Sequence, residues 1–354
     1  MRWRRATSIF SYWLAGQFVI EEYRTRALLS ANPITTRVLH VFGDWRSLEE
    51  AHRELPEYSH RSLGRSIQQL VREGLLLREG SPQAKQDERF ASSWSSWLPH
   101  AGILHFGTKD TPYTTSEAQT TKRMRAYLKQ SPQPDFFKPS HGNALSLPEA
   151  QLADSEFSAV LLERRTHREF LPGELELKDL SALLFYTWGV TGFLDAGILG
   201  PLPRKTSPSA GARHPCEVYV LARRVTNLAP GLYHYAPNKH VLEEVSVGIP
   251  RGRASQYCAG QKWVDKAAAL FLITAVFPRS MWKYRFARTY RTVILDAGHL
   301  CQTFCLVATY LGLAPFCTMA LKDSLIERDL GIDGFNEAIL YVAGIGLPVQ
   351  NSVP

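Results

Sequence analysis

Three short stretches carry side chains suited to holding an anionic molecule with a flat ring. The first is Arg164-Arg165-Thr166-His167-Arg168. Guanidinium forks bind phosphate oxygens in bidentate fashion, and a hydroxyl among them adds a hydrogen bond, so this run can grip a phosphate and an attached sugar chain. The second is Thr206-Ser207-Pro208-Ser209-Ala210-Gly211. Small side chains let the backbone approach a flat ring, and Pro208 fixes the turn. The third is Gly344-Ile345-Gly346, which follows an apolar run. A glycine turn at that point leaves backbone N–H groups free for an anion. Taken singly, each has an ordinary alternative: a solvated arginine cluster, a simple loop, a strand end.

Hydrolytic and metal chemistry find less support. Asp296 and His299 are three residues apart and can share a helix face. No third member completes a hydrolytic triad, and neither a G-x-S-x-G nor an H-E-x-x-H pattern occurs. His299 reads as a helix-packing or interface histidine. Five cysteines, Cys216, Cys258, Cys301, Cys305 and Cys317, form no CxxC pair. Cys301 and Cys305 are one helical turn apart without a histidine pair at ligand spacing, so all five read as small buried residues in a reducing compartment, and no metal is expected.

The elements that must position these residues are legible from Phe157 onward. Lys178 to Trp188 fits a helix with Leu180, Leu183, Leu184 and Trp188 on one face and Gly189 at its end. Glu217 to Leu221 is strand-like, and Gly231–Tyr235 and Val241–Val245 flank a hairpin at Pro237-Asn238-Lys239. Ala269 to Phe277 reads as a buried strand. Tyr290 to Leu311 reads as a long helix with Ile294, Ala297, Cys301, Phe304, Ala308 and Leu311 on one face, stopped by Gly312. Ile339 to Val342 is the last strand expected before the glycine turn. Helices and strands interleave, and the hairpin means that the sheet is not purely parallel.

Upstream, residues 1–88 read as a small winged-helix-like domain. One helix carries Val38, Leu39 and Phe42. A second spans Ser47 to Leu55. A third presents Leu63, Ile67, Leu70 and Val71, with Gly74 closing it before a short Leu75-Leu76-Leu77 strand. Its polar face is that of an ordinary solvated helix, which favours a docking module for a protein or peptide over a DNA reader. Residues 89–154 read as a linker and lead-in, with linker-like Ser92–Trp97 and Ser131-Pro132-Gln133-Pro134. The two tryptophans there are expected to pack on a neighbour. Residues 155–354 form the main domain.

Composition agrees with a globular chain: 354 residues, 45% hydrophobic, net charge +8. The charge reads as spread along the chain, which suits an anionic cofactor or acidic partner without arguing for nucleic acid. No apolar window of membrane-spanning length is read. The basic start resembles a signal peptide only superficially, because Gln17, Glu21 and Glu22 interrupt it, and a cytoplasmic protein is expected.

The order of the motifs adds what none of them gives singly. RRTHREF, then SPSAG, then PxEVYVL, GLYHY, a long helix with DAGHLCQ, and AGIG resembles the nitroreductase-like flavoproteins, and more narrowly the SagB-type dehydrogenases that oxidise azolines in thiazole- and oxazole-containing peptides. The resemblance runs from Ser155 to Pro348, with a fainter lead-in at His105 to Asp110. It implies an α+β fold, a mixed sheet flanked by helices, and a homodimer with FMN at the interface. It implies that Arg164, Arg165, Thr166 and Arg168 hold the FMN phosphate, ribityl chain and pyrimidine edge. Ser207, Pro208, Ser209, Ala210 and Gly211 would lie along the isoalloxazine, and Gly344 and Gly346 would border the phosphate. This chain has Ala212-Arg213-His214-Pro215 where the family commonly has Leu-Tyr-Pro or Asn, which leaves substrate contacts at Arg213 and His214 open.

In azole-forming relatives a Lys-Tyr pair lies just before the long helix, and Lys283-Tyr284 occupy that place here. Azoline oxidation removes a hydride and a proton from neighbouring carbons, and a lysine or tyrosine of lowered pKa can take the proton. Ordinary loop residues are the alternative. Three functions follow. One is a peptide azoline dehydrogenase acting with a peptide substrate and a cyclodehydratase or other maturation partner. The second is an NAD(P)H-dependent nitro or quinone reductase, and the third a non-enzymatic scaffold or DNA-binding regulator.

Overall fold

Packing divides the chain into two units, Met1–Lys109 with Val276–Val293, and Asp110–Ala275 with Ile294–Pro354. The structure, a computed structural model, describes residues 1–114, 116–131 and 154–349. Most of the expected Ser131–Pro134 linker lies outside the described residues.

The first unit opens with strands: β1 (Arg2–Arg5), β2 (Ile9–Leu14), β3 (Gln17–Glu22) and β4 (Ala27–Ser30). Ala15 and Gly16 both have positive φ, so they close a two-residue hairpin whose twist matches its strands, with Leu14 opposite Gln17. Helices α1 (Pro33–Val41), α2 (Leu48–Glu54) and α3 (His60–Arg72) follow, with the short strand β5 (Arg46–Ser47) before α2 and β6 (Leu76–Arg78) after α3. Ser47 and Glu50 form a capping box that starts α2. Val38, Leu39, Phe42, Leu63, Ile67 and Leu70 bury together, while Val71 turns out to solvent. The strands β5-β1-β6 pair in that order, and β2-β3-β4 form a separate three-stranded meander.

The stretch expected to be a loose lead-in is helical. Ser81 caps α4 (Pro82–Trp94), with Pro82 in its first turn, and α5 spans His100–Gly107. Trp94 and Trp97 are fully buried, in a cluster with Phe90, His105, Phe106, Phe277 and Tyr290. The apolar spacing is helical once Trp94 is read as core. The serines around it had suggested a linker.

In the second unit, α6 (Glu117–Gln130) and α7 (Glu156–Glu163) precede β7 (Phe170–Leu171) and α8 (Leu177–Trp188). Leu180, Leu183, Leu184 and Trp188 are buried, and a Cβ at Gly189 would meet the Phe185 carbonyl at 2.4 Å. A two-stranded arm, β8 (Gly192–Asp195) and β9 (Pro201–Arg204), leads to β10 (Cys216–Ala222), β11 (Gly231–Ala236) and β12 (Val241–Val247). Helix α9 (Arg253–Tyr257) and β13 (Ala269–Val276) follow. The chain then passes to the first unit through α10 (Phe277–Met281) and the start of α11 (Thr289–Tyr310), and returns along that helix to β14 (Ala314–Thr318), α12 (Asp323–Leu330) and β15 (Glu337–Pro348). The sheet order is β12-β11-β10-β13-β15-β14, with β7 also on β15. The hairpin appears as expected, β11 and β12 pairing antiparallel with Ala236 opposite Val241.

Two readings of this unit are corrected. The last strand does not end before Gly344. β15 runs through to Pro348, with Gly344 opposite Phe316 and Gly346 opposite Ala314. The buried face of α11 is Val293, Ala297, Cys301, Phe304 and Ala308, whereas Ile294 is exposed, one position round from the expected face. This helix is also long and apolar enough to cross a membrane by length and composition, contrary to the sequence expectation, and its apolar content is partly core packing.

Candidate active site

The Ser207–Gly211 loop is held by α11. The Asp296 carboxylate accepts hydrogen bonds from Ser209 Oγ at 2.6 Å and, at longer range, from the Ala210 N–H at 3.4 Å. Ser207 Oγ and Thr303 Oγ1 are 2.6 Å apart. Asp296 and Thr303 are two helical turns apart and so face the loop together. Ser209 Oγ in turn accepts from the His214 N–H at 2.9 Å, closing a tight loop. Gly211, Ala212 and His214 all have left-handed φ, so two non-glycine residues hold a conformation costing roughly 1–2 kcal/mol each. Clasps at both Ser207 and Ser209 compensate for that strain. Burial raises the Asp296 carboxyl above the usual range, against the lowering pull of Ser209 and Ala210.

The two residues left open by the sequence turn onto their own neighbourhood. Arg213 Nε donates to the Gly211 carbonyl at 3.2 Å, and His214 Nε2 lies 3.0 Å from the Pro203 carbonyl.

The arginine run follows the capped helix α7. His167 N–H donates to the Pro315 carbonyl of β14 at 2.9 Å, which pins the run beside that strand. Arg165 folds back, donating to the Leu162 and Arg164 carbonyls at 2.6 and 2.9 Å. Arg168 lies over the Trp263 ring, 5.9 Å from its centroid. Arg164 is half-buried, and its charge reaches Cys305 and Cys317, whose thiols are nonetheless held well above their ordinary range, chiefly by thiol hydrogen bonds. Thus α11 and β14 bring the arginine run and the small-residue loop onto the same part of the second unit.

Gly344 and Gly346 serve differently from the expected anion turn. Both lie inside β15, where a Cβ on Gly344 would stand 2.4 Å from the Phe316 ring and one on Gly346 2.4 Å from the Phe170 ring. They are glycine because aromatic rings lie flat on the strand, a requirement of packing that the bare G-x-G pattern does not reveal.

Lys283 and Tyr284 belong to the first unit. Lys283 is exposed, with Nζ 5.4 Å from the Tyr284 ring centroid. Two hydrogen bonds fix the backbone here: Tyr284 N–H donates to the Ser280 carbonyl at 2.9 Å, and Trp97 Nε1 donates to the Tyr284 carbonyl at 3.1 Å. His105 Nδ1 and the Tyr290 hydroxyl, 2.8 Å apart and buried, tie α5 to the start of α11.

Sequence reading named Asp296 without giving it a task, expected Trp97 to pack without naming its partner, and missed Thr303. The seven-residue spacing of Asp296 and Thr303 was the available signal. Trp97 offered none, since its partner is 187 residues away. The cysteines are buried or half-buried free thiols as read, but Cys317 Sγ lies 2.9 Å from Cys301 Sγ and 3.4 Å from Cys305 Sγ, a grouping that only the fold creates. Among the described residues no group of acidic, histidine or cysteine side chains is arranged to hold a metal ion.

Comparison with known proteins is consistent with this geometry. TfxB, the trifolitoxin-processing protein of Rhizobium leguminosarum bv. trifolii, is 26% identical over 340 residues, covering 91% of this chain and 89% of TfxB. MJ1384 of Methanocaldococcus jannaschii, named as a presumed nitroreductase, is 30% identical over 191 residues, 54% of this chain and 92% of that protein. McbC, the microcin B17-processing protein of Escherichia coli, is 27% identical over 201 residues, 54% of this chain and 73% of McbC. The sequence pattern of the nitroreductase family matches residues 161–347, which is more than half of the chain and contains the arginine run, the clasped loop and β15, so the protein belongs to the nitroreductase family.

Proposed function

We propose that the protein is an FMN-dependent dehydrogenase of peptide natural-product maturation, oxidising an azoline or similar backbone heterocycle to the azole. The observation that carries this reading is the extent of the similarity to a trifolitoxin-processing protein. It covers 91% of the chain, well beyond the family-matched residues 161–347. A generic reductase does not account for that extra length, whereas a peptide-handling enzyme has use for it.

The donor set suits FMN. Arg164 and Arg168 offer guanidinium groups and Thr166 a hydroxyl to a phosphate and ribityl chain, beside a clasped small-residue loop that a flat ring can approach. Ser207, Pro208, Ser209, Ala210 and Gly211 would line the ring. Arg165, turned onto backbone carbonyls, would set the shape of the run and contribute its charge at longer range. When bound, FMN supplies a hydride acceptor. The proposed base for the heterocycle's proton is Lys283 or Tyr284, and the Trp97 hydrogen bond fixes the backbone of that pair at Tyr284.

The enzyme would act as a homodimer in the cytoplasm with a cyclodehydratase or similar partner that makes the heterocycle. In support of a second copy, an apolar groove of about 560 Å³ opens between α7, α8 and α11, lined by Phe157, Val160, Tyr186, Leu306, Val307 and Tyr310. Purified protein incubated with an azoline peptide should lower the peptide mass by about 2 Da, and its visible spectrum should carry flavin bands near about 370 and 450 nm. Absence of the bands after FMN supplementation would overturn the cofactor assignment. A yellow protein that leaves azoline peptides unchanged would overturn the substrate assignment. MJ1384 favours a second reading, a nitro or quinone reductase, but its match covers only 54% of the chain. Rapid flavin bleaching by NADPH with turnover of nitroaromatics would favour that alternative.

A further inference from the structure

The positive charge of this protein is not evenly spread. Between Val276 and Val293 stand Arg279, Lys283, Arg285, Arg288 and Arg291 with no acidic residue among them, five positive charges in a chain whose net charge is +8. All five are exposed, and so are the large aromatic side chains of Trp282 and Phe286 among them. Tyr284 is partly exposed in the same strip.

Local structure gives no reason for this concentration. Among the described residues no ion pair or hydrogen bond engages the side chains of Arg285, Arg288 or Arg291. Arg288 precedes α11 and Arg291 lies in its first turn, which contains no acidic residue. Cations at a helix N-terminus face the positive end of the macrodipole and cost stability. The backbone beneath is nonetheless firmly held, by Trp97 on Tyr284 and by His105 on Tyr290. A rigid base that presents unneutralised cations and exposed rings is the chemistry of a surface awaiting an anionic partner.

We propose that Trp282–Arg291 docks an acidic stretch of the peptide substrate, with carboxylates on Arg285, Arg288 and Arg291 and an apolar side chain against Phe286. This rests on the peptide-dehydrogenase reading. A peptide is favoured over nucleic acid because the strip contains Lys283-Tyr284, the residues assigned to proton removal. The charge of a carboxylate-rich segment speeds its encounter with such a strip. The strip thus sets which peptides are processed, by charge.

Fluorescence anisotropy on the full-length, flavin-loaded protein tests the proposal. The probes are a short labelled peptide rich in Glu and Asp with two aromatic residues, the same peptide with Gln and Asn at the acidic positions, and a single-stranded oligonucleotide of equal length. The acidic peptide should bind at least about tenfold tighter than its amide counterpart, and raising salt should weaken it. The combined change Arg285→Glu, Arg288→Glu and Arg291→Glu should abolish the preference while circular dichroism and the flavin spectrum stay as in the parent. If that variant does not fold, the corresponding triple Gln variant should still weaken acidic-peptide binding several-fold. Equal binding of the acidic and amide peptides, or tighter binding of the oligonucleotide, overturns the proposal. Turnover separates the two readings. Azoline oxidation with the same KM for acidic and amide substrates overturns the docking assignment alone. Tight acidic-peptide binding without any oxidation supports the docking surface and overturns the dehydrogenase assignment.

Discussion

Asp296 joins the Ser207–Gly211 loop to helix α11, and its chemistry can be tested directly. Replacing it with Ala leaves Ser209 and the Ala210 N–H without their acceptor, and should cost about 1–3 kcal/mol in denaturant unfolding and loosen flavin retention. Asp296→Asn keeps an acceptor oxygen and should be milder. Because burial raises the carboxyl pKa, the folded state keeps this proton to higher pH than the unfolded chain does. The associated stability is therefore complete below the ordinary carboxyl range and declines as pH rises through the raised value. As pH rises above the ordinary carboxyl range the parent should lose stability relative to Asp296→Asn, and parallel curves would show that burial is not the dominant influence. For Lys283, the expected outcome of Lys283→Ala is retained yellow colour with peptide oxidation lost; full activity would reassign the proton to another group. The arginine run and the small-residue loop were legible because each is contiguous in the chain. The Asp296 clasp was not, because it joins side chains 87 residues apart.

At the scale of elements, β15 shows a glycine pair whose packing role the motif alone does not reveal. Gly344 and Gly346 invited reading as a phosphate turn, yet each makes room for a ring, Phe316 and Phe170 respectively. Gly344→Ala should destabilise by about 1–3 kcal/mol through overpacking, and Phe316→Leu in the same chain should restore part of it; a denaturant midpoint measures both. The central sheet also carries a pH-dependent bridge. His234 on β11 lies 3.1 Å from Glu217 of β10 and 3.1 Å from Glu243 of β12, and the Glu217 hydrogen bond leads in raising its pKa. That stabilisation is complete below the ordinary imidazole pKa and is lost as pH rises through the raised value. Glu217→Gln should flatten the fall in melting temperature as pH rises above the ordinary imidazole pKa. Helices and hairpin were legible from periodicity and turn residues. The early strands were not, because Met1 to Ser30 mixes charge and aromatics without clean alternation over a long run.

For the whole molecule, the proposed homodimer makes a simple prediction. Leu306→Glu in the groove of α7, α8 and α11 should convert a dimer to a monomer in light scattering, with the helical signal retained. An unchanged mass would place the second copy elsewhere or remove it. The division into residues 1–88, 89–154 and 155–354 drawn from composition treats domains as contiguous. Packing instead joins Val276–Val293 to Met1–Lys109, which composition cannot reveal because the connection is made by buried rings far apart in the chain.

That union has a consequence in time. Trp97 and His105 find their hydrogen-bond partners 187 and 185 residues later. At ordinary synthesis rates of about 5–20 residues per second, the first unit waits on the order of ten to forty seconds on the ribosome before Tyr284 and Tyr290 exist. During that interval Trp94, Trp97, His105 and Phe106 have emerged without the ring partners that complete their cluster. The newborn chain therefore presents an apolar, ring-rich surface well before its last third is made, a stage at which a chaperone can protect it.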